Sequence, residues 1–167
     1  MRLLQSLALA TAIGAWAVIL VGGFTTATNS GAGCRDVITC GANPMGPGAA
    51  LVEATHRIVA WAEGVLVLAM LVLVIRRHRD WTVVRNLTVL AFVLIVVQAT
   101  LGILSVAATF GDLGLGTLYP VFVTAHLGTA AAFLAVAVMN ASVIFREQPP
   151  ALAAVAAVPP RDATDAG

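Results

Sequence analysis

A histidine and two glutamates share one face of a long apolar segment in the first half of the 167-residue chain. Glu53, His56, Ala60 and Glu63 are spaced by three, four and three residues, so a helix places them on one stripe. Ionisable side chains in a bilayer are costly, and they face a partner, a cavity or the interior of a bundle. The stripe is therefore a candidate site. For Glu53 and Arg57 the alternative is that they lie at a hydrated helix end in the headgroup region. Glu63 does not fit this alternative, because it lies too far along the segment.

The composition is that of a membrane protein. The chain is 60% hydrophobic and 10% charged, whereas soluble domains have about 25% charged residues. A spanning helix needs about 20 apolar residues, and four stretches qualify, at about 3–24, 52–75, 86–108 and 120–144. The predicted fold class is all-α, an integral membrane four-helix bundle over residues 1–146, with the lipid bilayer as a partner. Residues 147–167, rich in Pro and Ala, are predicted to form a disordered cytoplasmic tail.

The first stretch has the alternative of being a signal peptide, because it carries one basic residue and is followed by small residues. Its apolar run of about 20 residues exceeds the 7–15 usual for such a peptide. We therefore predict a retained first helix. The net charge of +1 says nothing about nucleic acid, but no basic patch lies outside one short loop, so we expect no nucleic-acid partner.

Arginine placement predicts the topology. The loop between the second and third helices holds Arg76, Arg77, Arg79 and Arg85, whereas the first loop has Arg35 and the third has no basic residue. Basic residues favour the cytoplasmic side. We therefore expect a multi-pass protein of the cell membrane with both termini cytoplasmic and the first and third loops outside.

Two cysteines, Cys34 and Cys40, lie in the long first loop, residues 25–50. In an oxidising compartment they can form a disulfide. A metal pair is disfavoured because this loop has no other Cys or His, and two free thiols are a third possibility. The predicted topology places both on the oxidising side of the membrane.

A second histidine, His126, lies near the start of the fourth helix. His56 lies about 7 Å below Leu51 and His126 about 9 Å below Pro120 at 1.5 Å per residue, on helices that run in the same direction. Two buried histidines at equal depth can be the axial ligands of a haem, and Phe122 and Phe133 could line its face. The alternatives are a His/Glu site for a bare metal and a structural hydrogen-bond network.

Two further polar residues have simpler interpretations. Gln98 lies near the middle of the third helix, where an interhelical hydrogen bond is favoured over a ligand contact. His78 lies in the arginine-rich loop and is expected to be solvated.

An ordered set of motifs resembles the haem A synthase family, the membrane enzymes that convert haem O to haem A for haem-copper oxidases. The motifs span residues 21–130 and consist of the run at 22–31, the cysteine pair, Glu53-Ala54-Thr55-His56-Arg57, Gln98-Ala99-Thr100-Leu101-Gly102 and Ala125-His126-Leu127. Glu63 is outside these motifs. In the family such a four-helix unit occurs twice in one chain, and here it occurs once.

The resemblance implies a site and a reaction. It assigns His56 and His126 to the haem iron, Glu53 to catalysis, and Cys34 and Cys40 to a disulfide. From its position at the outer interface, Arg57 is expected to pair with a haem propionate. The implied reaction is oxidation of the C8 methyl of haem O to a formyl group during cytochrome oxidase assembly. The cofactor is haem, as haem B, as the haem O substrate, or as both.

Because one unit has one histidine pair, the resemblance also implies a homo-oligomer, or a partner such as a haem O synthase or an electron donor. The rival functions are a non-catalytic membrane haem-binding or electron-transfer protein that assists oxidase assembly, and a structural subunit without a cofactor.

Overall fold

Four long helices make up the protein in the computed structural model, which describes residues 1–34, 40 and 45–147. They are α1 (Arg2–Ala27), α2 (Pro47–Arg77), α3 (Thr82–Thr109) and α4 (Tyr119–Arg146), and two short 3-10 turns, Asp112–Gly114 and Gly116–Leu118, join α3 to α4. Each helix is long and apolar enough to cross a membrane. These described ranges contain no strand, so the all-α membrane bundle is confirmed. The predicted tail, apart from Glu147, lies outside them.

Two helices begin earlier than the hydropathy pattern predicts. Helix α2 starts at Pro47 instead of residue 52, after Gly46 with a φ of 88°. Pro fits the first turn because its missing N–H has no partner there in any case. Helix α3 starts at Thr82 instead of residue 86, which places Arg85 in its first turn. The long side chain of Arg85 reaches the loop and donates to the Arg79 carbonyl oxygen at 3.1 Å.

The helices form a square in cross-section. Helix α1 packs against α2 and α4, and α3 also packs against α2 and α4. Helices α2 and α4 therefore lie diagonally across the bundle, and so do α1 and α3. The arginine-rich end, where α2 leads into α3, also holds the start of α1 and the end of α4. The other end, where α1 leads into α2, holds both cysteines and is called the disulfide end.

Apolar packing is concentrated in the half of the bundle nearest the arginine-rich end. One cluster there has members from all four helices and from the α2–α3 loop: Leu4, Ala8, Met70, Val74, Trp81, Val84, Ala141 and Ile144. A second cluster lies next to it, towards the disulfide end: Ala15, Val67, Ala91, Phe133, Val136 and Ala137. Large apolar side chains such as Trp16, Trp61 and Leu127 point outwards, as expected of a surface that contacts lipid tails.

A polar pair joins α3 to α4 between these apolar clusters. Asn140 and Thr88 are both fully buried, and Asn140 Nδ2 donates to Thr88 Oγ1 at 2.9 Å. The Thr88 hydroxyl in turn donates to the Val84 carbonyl oxygen at 2.7 Å. Because the surroundings are apolar, the amide has little else to bond, so the pair fixes the register of α3 against α4.

We expect Thr88→Val to destabilise the bundle by about 1–2 kcal/mol, because it removes the only acceptor that the structure shows for Asn140 Nδ2. Thr100→Val is the matched control on the same helix, since Thr100 is exposed and bonds only its own helix at Val96. Unfolding in detergent micelles measures both. Equal losses in the two variants would contradict an interhelical role for Thr88.

Candidate functional site

The two histidines project from helices that face each other diagonally across the bundle. His56 belongs to α2 and His126 to α4, and both side chains are partly buried. The structure thus brings the two predicted site residues towards one another in the half of the bundle nearer the disulfide end.

Each imidazole lies beside one glycine of a neighbouring helix: His56 beside Gly22 of α1, and His126 beside Gly102 of α3. A Cβ at Gly22 of α1 would lie 2.9 Å from His56 Cε1, and a Cβ at Gly102 of α3 would lie 3.5 Å from His126 Cε1. Only a residue without a side chain lets α1 approach His56 this closely. Each ring therefore lies directly beside the backbone of a neighbouring helix, α1 for His56 and α3 for His126.

One ring nitrogen of each histidine is buried without a hydrogen-bond partner among the described residues. Nδ1 of His56 and Nδ1 of His126 are both buried, and neither makes a hydrogen bond to any part of the chain that the structure describes. Buried polar atoms are normally paired, and an exception calls for an explanation such as a ligand or an ion. Among the described residues no group of three or more His, Cys, Asp or Glu could hold a bare metal ion. The donor set is a pair of imidazoles, which fits axial ligation of a haem.

Glu53 and Arg57 form an ion pair one turn from His56. Arg57 Nε donates to Glu53 Oε1 at 2.8 Å, and Arg57 Nη2 donates to the Cys34 carbonyl oxygen at 3.0 Å. Glu53 is 5% exposed. The arginine therefore fixes the position of the carboxylate and ties α2 to the loop that follows α1, a link that residue spacing alone does not reveal.

The disulfide between Cys34 and Cys40 is present, with Cα atoms 4.6 Å apart, so that prediction is confirmed. Both sulfurs lie 3.6 Å from the carbonyl oxygen of Ala50, in the first turns of α2. Gly33 lies directly against the backbone of Ala49, where a Cβ would not fit. The loop thus packs closely on the start of the helix that carries Glu53 and His56.

Gln98 makes the interhelical contact that was favoured for it. Its Nε2 donates to the His126 carbonyl oxygen and to Thr129 Oγ1, both at 2.7 Å. Thr129 Oγ1 donates to the Ala125 carbonyl oxygen at 2.8 Å. These bonds hold the turn of α4 that carries His126 against α3.

The hydroxyl-rich end of α1 caps its own helix. Thr25, Thr26 and Thr28 donate to the carbonyl oxygens four residues earlier, at 2.9, 3.1 and 2.8 Å. Asn29 follows in the left-handed conformation, with a φ of 53°, as is common just after a helix.

His78 lies just beyond the end of α2, far from the other two histidines. Burial, and then the positive charges of the amino terminus and of Arg77, hold the pKa of His78 below its ordinary value. It is partly buried instead of fully solvated as predicted, because the start of α1 packs at the same end of the bundle.

Comparison with protein families identifies the family of this chain. The model of the cytochrome oxidase assembly protein family, COX15-CtaA, matches residues 46–163, which is more than half of the chain. The chain belongs to this family, the haem A synthase family. The match contains Glu53 and both histidines, whereas α1 and the cysteines lie before it. Comparison with curated proteins and with solved structures found no match.

We expect Gly22→Ala to destabilise the protein by about 1–3 kcal/mol relative to Gly23→Ala, because the new methyl group displaces the His56 ring. At Gly23 a Cβ meets nothing within 4 Å, so alanine there should gain up to about 1 kcal/mol of helix propensity. Gly102→Ala should be tolerated, since its Cβ makes an ordinary contact. Unfolding in micelles measures all three variants, and a Gly22→Ala protein as stable as the Gly23→Ala protein would contradict this packing.

Proposed function

We propose that this chain is a haem A synthase-type membrane oxidoreductase, which oxidises the C8 methyl of haem O to a formyl group in cytochrome oxidase assembly. The observation that carries the proposal is the pair His56 and His126. They lie on diagonal helices, with their Nδ1 atoms buried and without partners in the described chain, and within the matched region.

In this proposal His56 and His126 would be the residues that hold the haem iron. Gly22 lets α1 pack directly against the His56 ring, and Gln98 fixes the turn that carries His126. Haem, when bound, supplies the iron and the macrocycle on which oxidation takes place. The protein contributes the position of the substrate.

Glu53 is proposed as the acid-base group. It is one helical turn from His56, and Arg57 holds its Oε1 in place. A positioned carboxylate can accept or return a proton at the reacting carbon or oxygen. Arg57 is also proposed to bind a haem propionate, because its permanently charged guanidinium lies beside Glu53 and can recognise a carboxylate.

One unit provides one histidine pair. If the reaction uses a haem B as well as the haem O substrate, a second copy of this chain is the proposed source of the second pair. An electron donor and a haem O synthase are also proposed partners. Each hydroxylation of the methyl group by O2 takes up two electrons and two protons and releases water, and haem O needs a source.

Purification after co-expression with a haem O source tests the proposal. We expect a coloured protein whose low-spin spectrum disappears in His56→Ala and in His126→Ala, because each variant removes one axial ligand. His78→Ala is the control and should keep the spectrum, since His78 lies at the arginine-rich end. A colourless wild-type protein, or a spectrum that survives both ligand variants, would contradict the shared haem site.

Glu53→Gln should keep the haem spectrum and lose at least tenfold in formation of haem A or its hydroxylated intermediate, because the amide cannot carry a proton. Haem extraction followed by mass spectrometry measures product and substrate together. Loss of haem from Glu53→Gln as complete as from His56→Ala would contradict the catalytic role. Haem without any oxidised product in the wild-type protein would favour the non-catalytic haem-binding function.

A further inference from the structure

Glu63 is a second carboxyl group in the bundle, and the function proposed above does not use it. It is 2% exposed, which makes it more deeply buried than Glu53. It follows His56 by seven residues on the same face of α2, or about 10.5 Å along the helix axis towards the arginine-rich end. This position is in the middle of the apolar segment, where a carboxyl group is expensive to keep.

The packing of α1 makes a specific place for this side chain. Glu63 Oε2 contacts Gly14 so closely that a Cβ there would overlap it, and the same Cβ would lie 3.0 Å from Glu63 Cδ. Alanine is the better helix former by about 1 kcal/mol, yet only glycine leaves space for the carboxyl group. The carboxyl group is therefore accommodated inside the bundle and does not extend to lipid or water.

No cation faces Glu63 at this depth. Neither of its oxygens makes a hydrogen bond to any described residue. The helices packed against α2 are α1 and α3, and their charged side chains are Arg2 and Arg85, both in first turns at the arginine-rich end. On α2 itself the nearest arginine is Arg57, which pairs with Glu53. The titratable side chains of the diagonal helix α4 are Tyr119, His126 and Arg146.

An unpaired carboxylate in such surroundings costs far more than a neutral acid. The environment therefore favours a carboxyl group that holds a proton. Glu53 is the internal contrast, because Arg57 compensates its charge directly.

Other polar side chains lie on both sides of Glu63 along the bundle, and those with unpartnered buried atoms lie towards the arginine-rich end. Towards the arginine-rich end, Thr11 Oγ1 lies one turn from Gly14, and Thr11 Oγ1 and Asn140 Oδ1 are buried without partners among the described residues. Towards the histidines, Gln98 and Thr129 lie one turn from Gly102 and His126. Buried polar atoms without partners are the usual positions of internal water, which makes about three hydrogen bonds each.

We propose that Glu63 is a proton-binding residue that takes protons from the arginine-rich end, through water at Thr11 and Asn140, and passes them to the space between His56 and His126. The step is a proton transfer alone. The O–H bond of Glu63 breaks, the proton goes to water or to a basic oxygen of the bound substrate, and a proton from the arginine-rich end restores the acid. Its use in turnover rests on the function proposed above, whereas the proton-binding site itself does not.

A hydrophobic carbodiimide tests the proton-binding site without any need for haem, because this reagent attacks protonated carboxyl groups in apolar surroundings. We expect mass spectrometry to find Glu63 modified at pH 7 in the wild-type protein, with Glu53 unmodified because Arg57 holds it as a carboxylate. The infrared C=O band of a protonated acid should be present and should disappear in Glu63→Gln. An unmodified Glu63 together with no such band would overturn the proposal.

Turnover tests the transfer. Glu63→Gln has the same size and polarity, so a purely structural role would survive it, whereas proton transfer would not. We expect unchanged haem content, at least a tenfold loss of product, and partial rescue by Glu63→Asp. Turnover equal to wild type in Glu63→Gln would overturn the transfer. A wild-type protein without haem or product would instead overturn the proposed function and leave the carbodiimide result standing.

Gly14→Ala keeps the carboxyl group but displaces it, and so tests the site even if Glu63→Gln does not fold. We expect reduced carbodiimide modification of Glu63 in Gly14→Ala. Gly64→Ala is the matched control, since a Cβ at Gly64 meets nothing within 4 Å, and it should be modified like the wild type. Equal modification in both variants would overturn the assigned position of the carboxyl group.

Discussion

The close approach of α1 to α2 is the constraint on which the interior of this protein depends. Gly22 lies against the His56 ring, and Gly14 lies against the Glu63 carboxyl group. In a membrane, helices gain little from burying apolar surface against one another, so close van der Waals contact is what holds them together. Two polar side chains of α2 can occupy the interior only because α1 presents backbone where they lie. A larger residue at either glycine would have to move the helix or the polar group.

The two buried glutamates show how one residue type acquires two chemistries in one helix. Glu53 lies near the disulfide end, where Arg57 can reach both its carboxylate and the Cys34 carbonyl oxygen. Glu63 lies ten residues further along, beyond the reach of that guanidinium and against a glycine. A paired carboxylate is stable as an anion, whereas an unpaired one in an apolar interior is stable as an acid. The environment, and not the residue type, therefore separates the charge states that the two side chains favour.

Much of the fold could be predicted from the sequence because the spanning length of a bilayer leaves few choices for long apolar segments. The stripe of Glu53, His56 and Glu63 also follows from helical spacing, and Glu53 and Glu63 are indeed buried. Helices α2 and α3 begin several residues before the predicted positions. Pro47 and Arg85 are typical of loops, although both also fit the first turn of a helix. The diagonal placement of α2 and α4 could not be predicted, since helices that are apolar on every face do not show which neighbour each face meets.

Helix α1 contributes to the interior of the bundle although it lies outside the family match. The match covers residues 46–163, so it includes both histidines and both buried glutamates but none of α1. Yet α1 packs against α2 and α4 together, and it provides the two glycines that border His56 and Glu63. The loop after it supplies the carbonyl oxygen that Arg57 binds. The candidate site residues thus lie within the matched region, whereas the glycines that pack against His56 and Glu63 come from the segment before it.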